Sequence, residues 1–368
     1  MPPFIEINGR AIGLGQPVYM IAELSANHGQ DFAQAVALVR AAKACGADAV
    51  KLQTYTAETL TIDCDKPFFR IQGTLWDGRK LFDLYREAFT PWEWQPKLKA
   101  IANDLGMDLF STPFDASSVE FLERMNVPAH KIASFEANDI ELLRTIAKTN
   151  KPVIASTGMA TLAEIDELVQ TIRAAGSGQL ALLKCTSAYP APADEMNLRT
   201  IPHLAQAFNV PVGLSDHTLG IVAPIAAVSL GACIIEKHFT LSRANGGPDS
   251  VFSLEPAEFK SMVDGVHLAE KALGTIHYGL NPLEEKSRLF RRSLFVVEDV
   301  AAGEPFTLVN VRSIRPGHGL HPRHLDEVLG RRATRDICRG TPLEWSMAGE
   351  AHDAGTSYDA RRASNASR

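Results

Sequence analysis

The sequence has little cysteine, no basic run and no long apolar stretch, and each shortage removes a class of function. Five cysteines, Cys45, Cys64, Cys185, Cys233 and Cys338, are scattered along 368 residues and never form a CxxC pair. Disulfides are therefore not expected, each thiol reads as a small buried hydrophobe, and a reducing, cytoplasmic setting is expected. Lys and Arg number 37 against 43 Asp and Glu, a formal net charge of -6. No Lys/Arg run offers nucleic acid a footprint, so an anionic ligand would be held by a few local cations. No apolar run approaches the roughly 20 residues of a membrane helix. Met1-Pro2-Pro3-Phe4-Ile5-Glu6 lacks the basic and apolar regions of a secretory signal. Neither a membrane nor nucleic acid is expected as a partner. A glycine-rich phosphate turn after the first strand is also missing, since Glu23-Leu24-Ser25-Ala26-Asn27-His28-Gly29 is not one.

What is present is an alternation. Apolar content of 45% and charged content of 22% describe an ordinary globular chain. Its 368 residues exceed one typical core, so a large and a small domain are expected. Short apolar, β-branched runs recur at Val18–Leu24, Ala49–Tyr55, Met107–Pro113, His130–Ser134, Pro152–Thr157, Leu180–Ser187, Pro211–His217 and Cys233–Leu241. Amphipathic segments fall between them, among them Phe32–Cys45, Pro91–Leu105, Ala116–Met125, Leu162–Ala175, Met196–Phe208 and Ile221–Leu230. In the first, Phe32, Ala35, Val36, Leu38, Val39 and Ala42 repeat at helical spacing. Near-continuous apolar strands alternating with helices are parallel strands covered on both faces.

Eight such units predict a (β/α)8 TIM barrel over residues 1–276, in preference to a doubly wound open sheet. The connection Thr56–Thr90 is unusually long and rich in aromatics and charge. It leaves the strand end where barrel sites sit and is expected to be functional. Residues 277–292 read as a linker with Asn281-Pro282 and Glu284-Glu285-Lys286. Short strands and turns then predict a small β-rich domain over 293–348, and 349–368 lack apolar periodicity and are expected to be disordered.

Polar side chains gather at one end of the strands. The first ends Ala22-Glu23-Leu24-Ser25-Ala26-Asn27-His28, the second Lys51-Leu52-Gln53-Thr54 and the third Ser111-Thr112-Pro113. The fourth begins with Lys131 and leads to Ser134 and Glu136; the fifth ends Ser156-Thr157-Gly158. The sixth ends Thr186-Ser187 before Tyr189, the seventh Ser215-Asp216-His217 and the eighth Glu236-Lys237-His238. Barrel enzymes keep their sites at these carboxyl ends, so an active site is expected there. Lys51 and Lys131 among the hydroxyls of Thr112, Ser134, Ser156, Thr186 and Ser215 suit a small phosphate- or carboxylate-bearing substrate. The competing reading pairs each lysine with a carboxylate in the barrel mouth. His217 and His238 end neighbouring strands and can converge on one ion. Two imidazoles with open positions point to manganese or magnesium rather than zinc. Glu236, two residues before His238, is expected on the same side, orienting an imidazole or touching the site directly.

These segments resemble the sialic acid synthase family over nearly the whole chain. The resemblance is carried by Ala22-Glu23-Leu24-Ser25-Ala26-Asn27-His28-Gly29, Val50-Lys51-Leu52-Gln53, Ser111-Thr112-Pro113-Phe114-Asp115, Lys131-Ile132-Ala133-Ser134, Ser156-Thr157-Gly158-Met159, Gly213-Leu214-Ser215-Asp216-His217-Thr218 and Glu236-Lys237-His238-Phe239-Thr240. Arg315-Pro316-Gly317-His318-Gly319-Leu320 looks like the family's antifreeze-like (SAF) domain. Gly73-Thr74-Leu75-Trp76-Asp77-Gly78-Arg79 and Phe89-Thr90-Pro91-Trp92-Glu93-Trp94 are similar to the pseudaminate-forming branch rather than the N-acetylneuraminate-forming one.

The resemblance implies a transferase that joins phosphoenolpyruvate to an amino-sugar aldehyde, 2,4-diacetamido-2,4,6-trideoxy-L-altrose, giving pseudaminate and phosphate. It implies phosphoenolpyruvate on Lys51, Thr112, Lys131, Ser134, Ser156, Thr186, Ser187 and Ser215, although the family often has Asn where Ser187 stands. It implies the sugar on Gln53, Glu136, Tyr189, Asp249 and Arg315, and a divalent metal, Mn2+ or Mg2+, on His217 and His238. It also implies a domain-swapped homodimer in which Arg315 acts in trans.

The expected chemistry is addition of the enol phosphate's carbon three to the aldehyde, attack of water at carbon two, and loss of phosphate by C–O cleavage. Glu23 is the expected handler of the water's proton, with a salt bridge to Lys51 as its structural alternative. Trp76 is expected to stack on a deoxy methyl or acetamido group. N-acetylneuraminate or legionaminate synthesis is the nearest alternative. A Schiff-base aldolase using Lys51 or Lys131 is a different chemistry, and a non-catalytic sugar-binding protein a third reading.

Overall fold

A computed structural model describes residues 2–351. It begins with an antiparallel hairpin absent from the sequence expectations, β1 (Phe4–Ile7) and β2 (Arg10–Gly13). Asn8 and Gly9 turn it with φ of 48° and 80°, the pair of positive angles that two-residue hairpins favour. Eight parallel strands follow: β3 (Tyr19–Glu23), β4 (Ala49–Thr54), β5 (Asp108–Pro113), β6 (His130–Ile132), β7 (Val153–Ser156), β8 (Leu180–Cys185), β9 (Val212–Asp216) and β10 (Ile234–His238). They close into a barrel with β10 beside β3, so the expected (β/α)8 architecture is present.

The helices are α1 (Phe32–Ala44), α2 (Ala57–Leu60), α3 (Leu81–Ala88), α4 (Gln95–Asp104), α5 (Ala116–Arg124), α6 (Ile140–Ala147), α7 (Leu162–Ala174), α8 (Thr200–Phe208), α9 (Val222–Ser229) and α10 (Pro256–Leu273). Their starts carry local signals. Asp31, Asp115 and Asp139 accept backbone N–H groups at the first turns of α1, α5 and α6, and Thr161 with Glu164 forms a capping box on α7. The connection after β4 is not structureless, since α2 and α3 lie within it.

Alternation along the strands sorts side chains into two cores. Tyr19, Ile21, Phe110, Ile154, Leu183 and Ile234 fill the barrel interior, and Ile5, Ile7 and Ile12 of the hairpin join that cluster. Leu52, Leu109, Ile132, Leu182, Leu214 and Ile235 face the helix layer, meeting residues such as Leu38, Leu168 and Phe259. Burying each such side chain contributes about 1.5–3 kcal/mol. The hairpin is also tied down by polar bonds. Arg10 pairs with Asp48, Asn8 donates to Asp108, and the Glu6 amide donates to Gln179 at 2.7 Å.

The first compact unit ends at Gly274 and the second begins at Thr275. In the second, β11 (Ser293–Val296) pairs with β12 (Val311–Ile314). A short helix, α11 (Leu325–Val328), precedes β13 (Arg331–Ala333), which pairs with β14 (Ala348–Ala351). Leu294, Val296, Phe306, Val328 and Leu343 form its small core. Two boundaries differ from expectation. The stretch read as a linker holds a 3-10 turn, Glu285–Phe290, whose Leu289 carbonyl accepts the Gly317 amide at 3.1 Å. The ordered chain also runs past residue 348, because β14 takes its hydrogen bonds from β13; the rest of the expected disordered tail lies outside the described residues.

Candidate active site at the carboxyl ends of the barrel strands

Above the apolar filling, the inward positions turn polar in two successive layers. The lower layer holds Glu23, Lys51, Thr112, Lys131, Ser156, Ser215 and Glu236, all nearly inaccessible. Neighbouring registers bring them together, with Glu23 beside Lys51 and Ser215 beside Glu236. Lys51 Nζ lies 2.9 Å from Glu23 Oε2 and 3.3 Å from Glu236 Oε1, and donates to Thr112 Oγ1 at 3.3 Å. Ser215 Oγ donates to the same Glu236 oxygen at 3.2 Å. Of the two roles expected of Glu236, direct contact with the site is the one that its bonds to Lys51 and Ser215 fit. Lys131 Nζ donates to Ser156 Oγ at 2.7 Å and to the Ile132 carbonyl at 2.8 Å.

The two lysines are thus different groups. Burial disfavours the Lys51 cation, but Glu23 and Glu236 more than offset it and raise its pKa. Lys131 has no carboxylate at ion-pair distance among the described residues. Burial first, then the Lys51 charge, pull it down to about 8 against the attraction of Glu236. Lys131 is consequently the cation free to take an anion. Close to it, the Gly158 amide donates to Ser134 Oγ at 3.1 Å, and a Cβ on Gly158 would stand 2.2 Å from Ser187 Oγ and 2.7 Å from Ser134 Oγ. Lys131, Ser156, Ser134, Ser187 and the Gly158 amide form a corner rich in donors, as a phosphate requires.

Affinity for an anionic ligand in this corner is expected to depend on pH through this lysine. Below about 8 Lys131 is charged and affinity is level; above it the cation is lost and affinity declines, up to tenfold per unit. Titration calorimetry between pH 6.5 and 9.5 checks this, and a flat profile across that range would remove Lys131 from the anion seat.

The upper layer holds Ser25, Gln53, His217 and His238. Gln53 Nε2 donates to Glu23 Oε1 at 3.0 Å and to Ser25 Oγ at 3.3 Å, and Ser25 donates to Asp249. The rings of His217 and His238 lie 5.3 Å apart, with Tyr189 4.5 Å from His217 and Phe252 4.9 Å from His238. His217 Nδ1 donates to the Thr186 carbonyl at 3.1 Å, which leaves Nε2 with a lone pair. His238 Nδ1 is buried with no partner. Burial, with the cations Lys51 and Lys237 adding to it, lowers the pKa of His238 and favours its neutral form. These features fit two imidazole ligands to a divalent ion. No group of three His, Cys, Asp or Glu is arranged for a metal among the described residues, so water or substrate would complete its shell.

Beyond the histidines opens a cavity of 390 Å³, within the usual range of small-ligand sites. Gln53, Glu136, Tyr189, His238 and Asp249 line one side. Burial lifts the Glu136 carboxyl to about 7 against the pull of Lys131, and its Oε2 has no hydrogen-bond partner. Burial likewise raises the Asp249 carboxyl.

Some polar strand-end residues do other work. Asp216 and Lys237, both fully buried, pair with each other, and Lys237 also donates to the Thr218 carbonyl. Asn27 holds the Phe239 carbonyl and Ser253, and His28 bonds Thr90. Thr186, expected on the phosphate, has its hydroxyl taken up by Lys184 Nζ at 3.2 Å and the Glu195 carbonyl at 3.2 Å; only its carbonyl meets the site. Trp76 closes the cavity by donating from Nε1 to the Pro248 carbonyl at 3.0 Å and packing 5.6 Å from Tyr189. Arg315 follows β12 in the second unit. Cys185, read from sequence as inert packing, lies 3.8 Å from His217 Nδ1 and 3.9 Å from Ser187 Oγ. Its even spacing from Ala181 and Leu183 was the available signal.

Comparison with known proteins matches residues 38–278 to the NeuB family and 291–348 to the SAF domain. The chain belongs to the NeuB family. It is 48% identical over 329 residues to pseudaminic acid synthase of Campylobacter jejuni, covering 89% of this chain and 96% of that protein. N,N'-diacetyllegionaminic acid synthase of Legionella pneumophila is 36% identical, over 92% of this chain and 97% of that one. Among solved structures, N-acetylneuraminic acid synthetase of Leptospira borgpetersenii, in complex with citrate, superposes with a TM-score of 0.70. It is 31% identical and covers 78% of this chain and 95% of its own.

Proposed function

We propose that the protein condenses phosphoenolpyruvate with 2,4-diacetamido-2,4,6-trideoxy-L-altrose, giving pseudaminate and phosphate. The 48% identity to a pseudaminic acid synthase carries the choice of sugar, and the donor corner around Lys131 carries the choice of an enol phosphate. In this reading Lys131, Ser156, Ser134, Ser187 and the Gly158 amide hold the phosphate, with Thr112 and Ser215 lining the floor beside Lys51. Gln53, Glu136, Tyr189 and Asp249 hold the sugar with its aldehyde toward His217 and His238. A divalent ion, Mn2+ or Mg2+, held by those two imidazoles would supply Lewis-acid polarisation of the aldehyde oxygen.

The residues position two reactants for one bond. Carbon three of the enol phosphate attacks the aldehyde carbon, and carbon two is left electron-poor. Water adds there and gives its proton to Glu23, whose pKa is raised by burial and by Glu236 against the pull of Lys51. Gln53 holds the other Glu23 oxygen. The bond between carbon two and the phosphate oxygen then breaks, phosphate departs with the electron pair and takes the adduct's hydroxyl proton, the proton held by Glu23 passes to the new alkoxide, and the ketone forms. The salt bridge to Lys51 and the role as base are compatible, because the lysine stabilises the carboxylate that must accept the proton.

The free state of the cysteines supports a cytoplasmic setting. No helix among the described residues is long and apolar enough to cross a membrane. By family likeness we extend the reading to a domain-swapped homodimer in which Arg315 reaches the partner's sugar. A phosphate-release assay across amino sugars, with and without manganese, tests the whole. Release with the trideoxy-altrose, lost in chelator, is expected, together with no borohydride-trapped adduct at Lys131 or Lys51. Preference for N-acetylmannosamine would move the chain to a sialic acid branch, and a trapped lysine adduct would replace the chemistry.

A further inference from the structure

The cavity above the histidines has two unlike sides. One carries the amide, carboxylates, phenol and imidazole of the strand ends. The other is built mostly by Leu60, Ile71, Leu81, Leu84, Ala88 and Phe114, of which all but Phe114 come from the connection between β4 and α4; Thr74, Trp76 and Tyr85 of that connection line the cavity too. None of these six side chains can donate or accept a hydrogen bond. Leu60, Ile71 and Leu81 remain partly accessible from the cavity, so they line space instead of closing a core.

We propose that this apolar wall selects the acceptor sugar, by admitting methyl groups where commoner hexoses carry hydroxyls. A hydroxyl against these six side chains gives up water and finds no partner on them, whereas a methyl in the same place leaves nothing unpaired. A sugar with its hydroxyl-bearing edge on Glu136, Asp249 and Gln53 turns its opposite edge to the wall. Trideoxy and acetamido substitution supplies methyls on that edge, which a fully hydroxylated hexosamine lacks. The inference rests on the synthase reading and deepens it.

The wall is held rigid before any sugar arrives. The Ile71 amide donates to the Arg79 carbonyl, and its own carbonyl accepts the Gly78 amide, both at 2.9 Å. Tyr55 packs edge-on against Phe114 at 5.0 Å and Tyr85 at 5.8 Å. The indole of Trp76, anchored on Pro248, ties the same connection to the far rim. Trp76 is thus a clamp on the wall, and the discriminating contacts fall to its aliphatic neighbours. A preformed surface of this kind discriminates without a closing step.

The test compares kcat/KM for the trideoxy sugar and for its 6-hydroxy counterpart, 2,4-diacetamido-2,4-dideoxy-L-altrose. The native enzyme should prefer the 6-deoxy acceptor by on the order of 100-fold. Ile71→Thr, one carbon smaller and held by its backbone, and Leu81→Asn should each cut that preference about tenfold while KM for phosphoenolpyruvate stays unchanged. Equal kcat/KM for the two sugars in the native enzyme would overturn the inference. So would an unaltered preference in both variants. No phosphate release with either sugar would instead overturn the synthase reading, and the wall's role with it.

Discussion

Lys51→Met is expected to destabilise the barrel by about 3–5 kcal/mol and to lower kcat by on the order of 1,000-fold. The side chains of Lys51, Glu23 and Glu236 are 5%, 1% and 6% exposed, so solvent screens little of their interaction. Removing the ammonium leaves two buried carboxylates sharing one neighbourhood, with Lys131 the remaining cation near Glu236. Glu23 then has no cation, and burial forces it to protonate or the site to open. Guanidinium denaturation should show the loss as a lower midpoint with an unchanged slope.

A second substitution separates stability from chemistry. In Lys51→Met/Glu23→Gln the orphaned charge is gone, Glu236 keeps Lys131, and most of the stability should return. Activity should not, because neither the proton acceptor nor its stabilising cation remains. A Lys51→Met protein with the native midpoint would mean that the triad is not the buried cluster described. Recovery of turnover in the double variant would remove Glu23 from the reaction.

Gly158→Ala is expected to weaken phosphoenolpyruvate binding by on the order of 100-fold while the protein stays folded. The added Cβ would meet two hydroxyl oxygens, Ser187 Oγ at 2.2 Å and Ser134 Oγ at 2.7 Å. Both belong to serines that can rotate or shift, so the fold tolerates the methyl; the pocket does not. The serines leave the positions from which they would serve the phosphate, and the Gly158 amide loses its partner on Ser134. Charge-assisted hydrogen bonds of this kind contribute about 1.5–3 kcal/mol each, and losing two at the lower end of that range accounts for the expected loss. Calorimetric titration with phosphoenolpyruvate measures it. Affinity within threefold of native would exclude the Ser134–Gly158–Ser187 corner as the seat of the phosphate.

Legibility in the sequence follows the physics of a two-sided strand. The apolar runs and their spacing announced eight parallel strands, and the gathering of polar residues at one end announced where chemistry sits. Which way each residue points was far less readable. Strands covered on both faces lose the polar–apolar alternation that marks an outer side, so Asp216, Lys237 and Thr186 read like pocket residues. The first two face each other away from the site, and the hydroxyl of the third is engaged by Lys184 and Glu195.

Cys185 was hidden for the reciprocal reason, being an apolar-looking residue at an inward position beside His217. Chain proximity leaves two roles open to Glu236, and the β3–β4–β10 register selects direct contact by delivering Lys51 to it. The hairpin was missed although Ile5-Glu6-Ile7-Asn8-Gly9 is a strong turn signal between alternating residues. Helices α2 and α3 were obscured by their shortness and by the mixed composition of the connection around them.

That hairpin makes the barrel a tube with a sealed floor. Ile5, Ile7 and Ile12 merge with Tyr19, Phe110 and Leu183, so nothing passes through the bottom. Lys131 and Ser156 are buried, whereas Gln53 and His238 line the open sugar cavity. With the proposed seating, traffic is last-in, first-out: the enol phosphate must descend before the sugar covers it, and inorganic phosphate waits beneath the nine-carbon product until that product clears the mouth.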